Sequence, residues 1–136
     1  MPATISCNVP GTDITIGSDT ALNTICKCAD QIKLSASGSR RRVFIVETMG
    51  LRSGYLATLA GLAVGADAAY IFEEKINLND LVDNVNRLKL KMAGPIKRGI
   101  VMLANGANDN YSLCLYSTEI ILLSIASGLW LIALFI

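Results

Sequence analysis

"RRRVFIVETMG", residues 40–50, passes from three arginines through an apolar run into a glycine turn. Val43 to Val46 show no alternation of polar and apolar positions, so they suit a strand covered on both faces, as in a parallel sheet. The flanking sequence agrees. "SGYLATLAGLAVGA", residues 53–66, has helical length and mostly small residues. Gly61 and Gly65 lower helix stability there, which points to a backbone packed close against a neighbour. "DAAYIF", residues 67–72, is a second buried strand. Asn77 or Asn79 then opens a helix in which Leu78, Leu81, Val82, Val85, Leu88 and Met92 recur at helical spacing, and Gly94 with Pro95 ends it. "RGIVML", residues 98–103, is a third strand. Upstream, residues 1–18 read as loop. Ser18 or Asp19 caps a helix with Ala21, Leu22, Ile25, Cys26, Ala29 and Ile32 on its apolar face, running out in "SASGS". Helices alternating with continuous apolar strands predict an α/β fold on a parallel sheet.

The totals narrow the function. A chain of 136 residues that is 52% hydrophobic and 17% charged is too apolar for disorder. A net charge of +1 gives no electrostatic footprint for nucleic acid. With no histidine, the usual general base and the commonest metal ligand are both missing. Cys7, Cys26, Cys28 and Cys114 form no CxxC pair and no zinc spacing, so they read as reduced, intracellular thiols and no metal site is expected. Pro2, Asn8, Pro10 and Asp13 interrupt any signal-peptide run.

Residues 120–136, "IILLSIASGLWLIALFI", break the pattern: 17 residues without a charge. As a helix they would span roughly 25 Å at 1.5 Å per residue, just short of the ~20 residues that cross a bilayer. No Lys or Arg in the preceding twenty residues orients such a segment. Ser124, Ser127 and Gly128 would equally permit a buried helix packed on the sheet.

Parallel sheets bind ligands at the carboxyl ends of their strands. Three stretches gather there: "PATISCN" (2–8), "ETMGLRSG" (47–54) and "LANGAND" (103–109). The Gly50–Gly54 segment precedes a helix, whose N–H groups and dipole can receive a phosphate, although such a segment is more often a plain turn. Arg40 to Arg42 offer forked donors for phosphate, or form a solvated loop. There is no GxGxxG, and "GTDITIGSDT" lacks the Gly-Lys-Ser/Thr of a Walker loop. Asp13 and Asp19 read as capping residues rather than metal ligands.

"PATISCNVPGTDITIGSDTALNTI", "RRRVFIVETMG", "GYLATLAGLAVGADAAYIFEE" and "KRGIV" together resemble the ATP-dependent 6-phosphofructokinase family over about residues 2–117. The likeness is to the C-terminal, regulatory half of the animal enzymes. It implies an incomplete three-layer parallel-sheet unit over residues 1–117, with residues 118–136 an apolar tail foreign to the family. The family's catalytic halves carry two aspartates in the first loop, where this chain has Ser6 and Asn8. The base position is held by Ser6, so the resemblance implies no catalytic residue. Neither a serine hydroxyl nor an amide takes up a proton at neutral pH as a carboxylate does.

The resemblance further implies that Thr4, Ile5, Ser6, Cys7 and Asn8 line a vestigial sugar-phosphate site for fructose 2,6-bisphosphate. Met49 and Gly50 would pack under the sugar. Arg42 would clamp a phosphate, reaching in from a neighbouring subunit of a homo-oligomer. Leu51 stands where regulatory halves have a glycine, and Asn105 where they have a glutamate. The family's Gly-Asp-Gly-Ser loop, which holds ATP and magnesium, precedes the matched segment and does not appear, so ATP and magnesium belong to the full enzyme. The expected function is a piece of a glycolytic kinase, cytoplasmic and inactive alone. The alternative is a membrane-anchored, non-catalytic module that binds sugar phosphates or pairs with the full enzyme.

Overall fold

The computed structural model describes residues 1–38, 42–75, 77–107 and 130–135. Along them run β1 (Ala3–Thr4), β2 (Ile16–Gly17), α1 (Ser18–Ser37), β3 (Arg42–Thr48), α2 (Tyr55–Val64), β4 (Ala68–Tyr70), α3 (Leu78–Ala93), β5 (Arg98–Ala104) and β6 (Trp130–Phe135). The main sheet is parallel throughout, in the order β4-β5-β3-β6. The α/β class and the parallel sheet are those the sequence predicts.

Three layers follow from period-two strands with helices on both faces. Val46, Ile100, Met102 and Ala104 join Ile25 and Ala29 of α1 and Leu56, Ala57, Ala60 and Val64 of α2 in one core. On the other face Val43 and Val101 meet Leu88 and Met92 of α3. The expected apolar face of α1 is the one buried. On α3, Leu81, Leu88 and Met92 are buried while Val82 is exposed.

The glycines of α2 differ from each other. A Cβ on Gly61 would meet Ala69 and Met102 at 3.5 Å, so the helix lies close to the sheet there. Gly65 is uncrowded, contrary to the close packing expected of it. Its φ of 68° and its N–H, directed at the Gly61 and Leu62 carbonyls, make it a left-handed cap that ends the helix.

Other details depart from the sequence reading. Residues 1–18 are not plain loop, because β1 and β2 pair in parallel. Ile16 N–H donates to the Pro2 carbonyl at 3.1 Å, and Thr15 Oγ1 to the Thr4 carbonyl at 2.6 Å. Neither Ser18 nor Asp19 caps α1. The cap residue is Gly17 at φ 103°, with no side-chain cap; Ser18 Oγ donates back to the Thr15 carbonyl at 2.7 Å. Asp19 sits in the first turn, where its charge favours the helix dipole. Of the two candidates for the head of α3, Asn77 forms a capping box: the Asp80 carboxylate accepts its N–H at 3.1 Å. Tyr70, at the end of β4, accepts from Asn84 Nδ2 at 2.9 Å. Burial pushes its phenol pKa up and the Asp80 charge adds to this, while the Asn84 contact opposes both.

The largest correction concerns the apolar tail. Trp130–Phe135 form no part of a helix; they pair in parallel with Arg42–Glu47 of β3. An apolar run alone does not separate helix from strand. The free edge of β3 decides, since pairing satisfies backbone groups that would otherwise stand open. That edge of β3 is paired with this chain's own residues. Residues 118–129 lie outside the described residues. Among the described residues no helix is long and apolar enough to cross a membrane.

Candidate functional site

The three stretches expected at the carboxyl edge do meet there. β3 ends at Thr48 and β5 at Ala104 in matched register. Asn105 stitches the two ends: its N–H donates to the Thr48 carbonyl at 3.0 Å, and its Nδ2 to Glu47 Oε1 at 3.0 Å. The first loop joins from the side, where Asn8 Nδ2 donates to the Leu51 carbonyl at 3.1 Å. Residues 108 and 109 of the third stretch lie outside the described residues.

Within the loop, Thr4 is held by β1 and its Oγ1 accepts the Ser6 N–H at 3.3 Å. Ser6 is buried, Cys7 half-buried with its thiol directed at the Asp13 carbonyl, and Ile5 and Asn8 are exposed. In the facing turn Gly50 is buried, whereas Met49 and Leu51 are 65% and 69% exposed. The structure therefore brings together Thr4, Ile5, Ser6, Cys7, Asn8, Met49 and Gly50. It does not bring Arg42 to them. Arg42 starts β3 while the turn follows its end, and six residue steps of ~3.3 Å separate the two by about 20 Å. Arg40 and Arg41 lie outside the described residues.

The phosphate cradle expected at the head of α2 is already filled. Gly54 N–H donates to Glu73 Oε1 at 2.9 Å, and Tyr55 N–H to Ser53 Oγ at 3.4 Å. A carboxylate of the chain itself thus sits on the positive end of this helix. Gly54 admits no side chain, because a Cβ there would lie 2.5 Å from Ile71 Cβ and 2.7 Å from Glu73 Oε2. Glu73 escaped the sequence reading; the signal available was the acidic pair after "AAYIF", with nothing to fix its target.

Beside the loop lies a trough of about 530 Å³ lined by Ile5, Gly17, Thr20, Ala21, Thr24, Ile25, Met49 and Leu56. Among the described residues lining it, the side-chain hydrogen-bonding groups are the two threonine hydroxyls, so it suits an apolar surface better than an anion. No group of three or more His, Cys, Asp or Glu among the described residues could hold a metal ion. Cys7, Cys26 and Cys28 are unpaired thiols; Cys114 lies outside the described residues. What this edge can do is bind polar ligands through hydroxyls and amides, with Glu47 engaged by Asn105.

Comparison with known proteins agrees with this geometry. The sequence profile described as Phosphofructokinase matches residues 1–128. The chain is 58% identical over 123 residues to the muscle-type ATP-dependent 6-phosphofructokinase of Equus caballus, covering 88% of this chain and 16% of that protein. It superposes on the phosphofructokinase of Saccharomyces cerevisiae with a TM-score of 0.86 and 35% identity, over 98% of this chain and 18% of that one. The T-state phosphofructokinase of Pichia pastoris gives 0.86 and 38%, over 98% and 15%. This chain thus spans about one sixth of the length of the curated relatives it matches.

Proposed function

The chain belongs to the phosphofructokinase family, and on that premise we propose that it forms the sugar-facing floor of a regulatory, non-catalytic sugar-phosphate site in a larger glycolytic phosphofructokinase. One observation carries the reading. The loop Thr4–Asn8, set against the Met49–Gly50 turn, contains no carboxylate, and Asn8 spends its amide on the Leu51 carbonyl. A loop without a base can hold sugar hydroxyls but cannot draw a proton from one at neutral pH. Fructose 2,6-bisphosphate is the ligand this reading favours.

The turn itself carries one cation, Arg52, and two phosphates call for more than one. The trough is apolar and the head of α2 is taken by Glu73. Arg42, about 20 Å away along β3, serves the site of a neighbouring copy in this reading, so a homo-oligomer is part of the proposal. In this reading ATP and magnesium bind elsewhere in the full enzyme. A cytoplasmic location suits the unpaired thiols.

The purified chain, mixed with ATP, magnesium and fructose 6-phosphate, should release no ADP above background. Sustained, protein-dependent ADP release coupled to sugar phosphorylation would overturn the non-catalytic reading.

A further inference from the structure

Two non-glycine residues among the described ones have positive φ: Cys7 at 51° and Arg52 at 56°. Side chains with a Cβ rarely adopt that conformation, and it persists only where surroundings enforce it. Each stands next to one end of the same hydrogen bond. Asn8, after Cys7, donates from Nδ2 to the carbonyl of Leu51, which precedes Arg52, at 3.1 Å across 43 residues of sequence. The orientation of the amide is not arbitrary: the partner is a carbonyl oxygen, so only the NH₂ end can face it.

The turn between β3 and α2 is fixed at both ends by other groups. Asn105 N–H holds the Thr48 carbonyl, and Glu73 holds Gly54 N–H. Its middle has the Asn8 contact. We infer that Asn8 is a positioning residue of the proposed sugar-phosphate site: its amide clasps two left-handed turns together and sets the spacing between Ser6 and the Met49–Gly50 backbone. The inference rests on the regulatory-site reading for its purpose, but not for its mechanics. A carboxylate of the same shape cannot make this contact. An ionised aspartate has no proton to donate and would face the Leu51 carbonyl as an anion, whereas a protonated one can donate its O–H.

The test is amide hydrogen exchange of the full chain without ligand, as protection factors corrected for intrinsic rates. In N8A and in N8D at pH 7, protection over residues 50–53 should fall about 3- to 10-fold, the loss expected for one exposed hydrogen bond. Protection in α3 and β5 should hold. N8D should regain protection as the pH falls through the carboxylate range, roughly pH 4, whereas N8A should not; a merely space-filling role gives no such recovery. N8S, polar but too short to reach Leu51, provides the same comparison if N8A fails to fold. Unchanged protection at 50–53 in these variants, or N8D behaving alike at both pH values, would overturn the clasp. Wild-type chain that shows the clasp yet binds no fructose 2,6-bisphosphate would sink the ligand reading and leave the clasp standing.

Discussion

At the head of α2, a methyl on Gly54 would sit 2.5 Å from Ile71 Cβ; two turns along the same helix, a methyl on Gly61 would meet Ala69 and Met102 at 3.5 Å. The first distance is impossible without displacement, and the second is ordinary contact. Around Gly54 the chain is assembled from single polar contacts over long sequence separations: Glu73 to Gly54, Asn8 to Leu51, Asn105 to Glu47. Around Gly61 it is held by apolar packing of α2 on β4 and β5. The body of the helix has slack because dispersion and burial are summed over many contacts. The carboxyl edge has little, because each position depends on one partner.

That difference predicts opposite signs for one substitution. G54A should destabilise the chain most, by ~1–3 kcal/mol as an overpacked site, and should also displace Glu73 from the helix head. G61A should stabilise it by up to about 1 kcal/mol, since alanine outranks glycine inside a helix and the space exists. Chemical denaturation of both variants decides it; equal losses would break the distinction between head and body. The smallest expected effect is at the far side of the turn. N105E places a second carboxylate beside Glu47, at an exposed position, so the loss at neutral pH should stay within about 1 kcal/mol. The repulsion exists only while both groups are ionised. It raises the folded-state pKa of the pair, so the variant's deficit should shrink as the pH falls through that raised value. A deficit unchanged between pH 7 and pH 3 would place the role of Asn105 in its shape rather than its donor.

What the sequence reveals follows the same division. Val43–Val46 and "RGIVML" announce buried strands through unbroken apolar runs, and the faces of α1 and α3 through helical spacing, because burial is a property of many residues at once. The edge is only half legible. That Thr4–Asn8 would meet Met49–Gly50 follows from their place at carboxyl ends, and the resemblance adds their ligand. That Arg42 lies at the opposite end of β3 was implied by its place at the strand's start. Glu73's reach to Gly54 over 19 residues, and Asn8's to Leu51 over 43, left no local trace. The tail shows the limit most plainly. "WLIALF" lies in a run read as helix, and pairing along the edge of β3 makes it a strand.

The role proposed for this edge is to bind a sugar bisphosphate without transforming it. Hydrogen exchange of the chain with and without saturating fructose 2,6-bisphosphate tests it most directly. Exchange should slow in residues 4–8 and 49–54, with α3 unchanged and the ligand recovered intact. No change at either segment, or protection confined to the trough residues of α1, would contradict it.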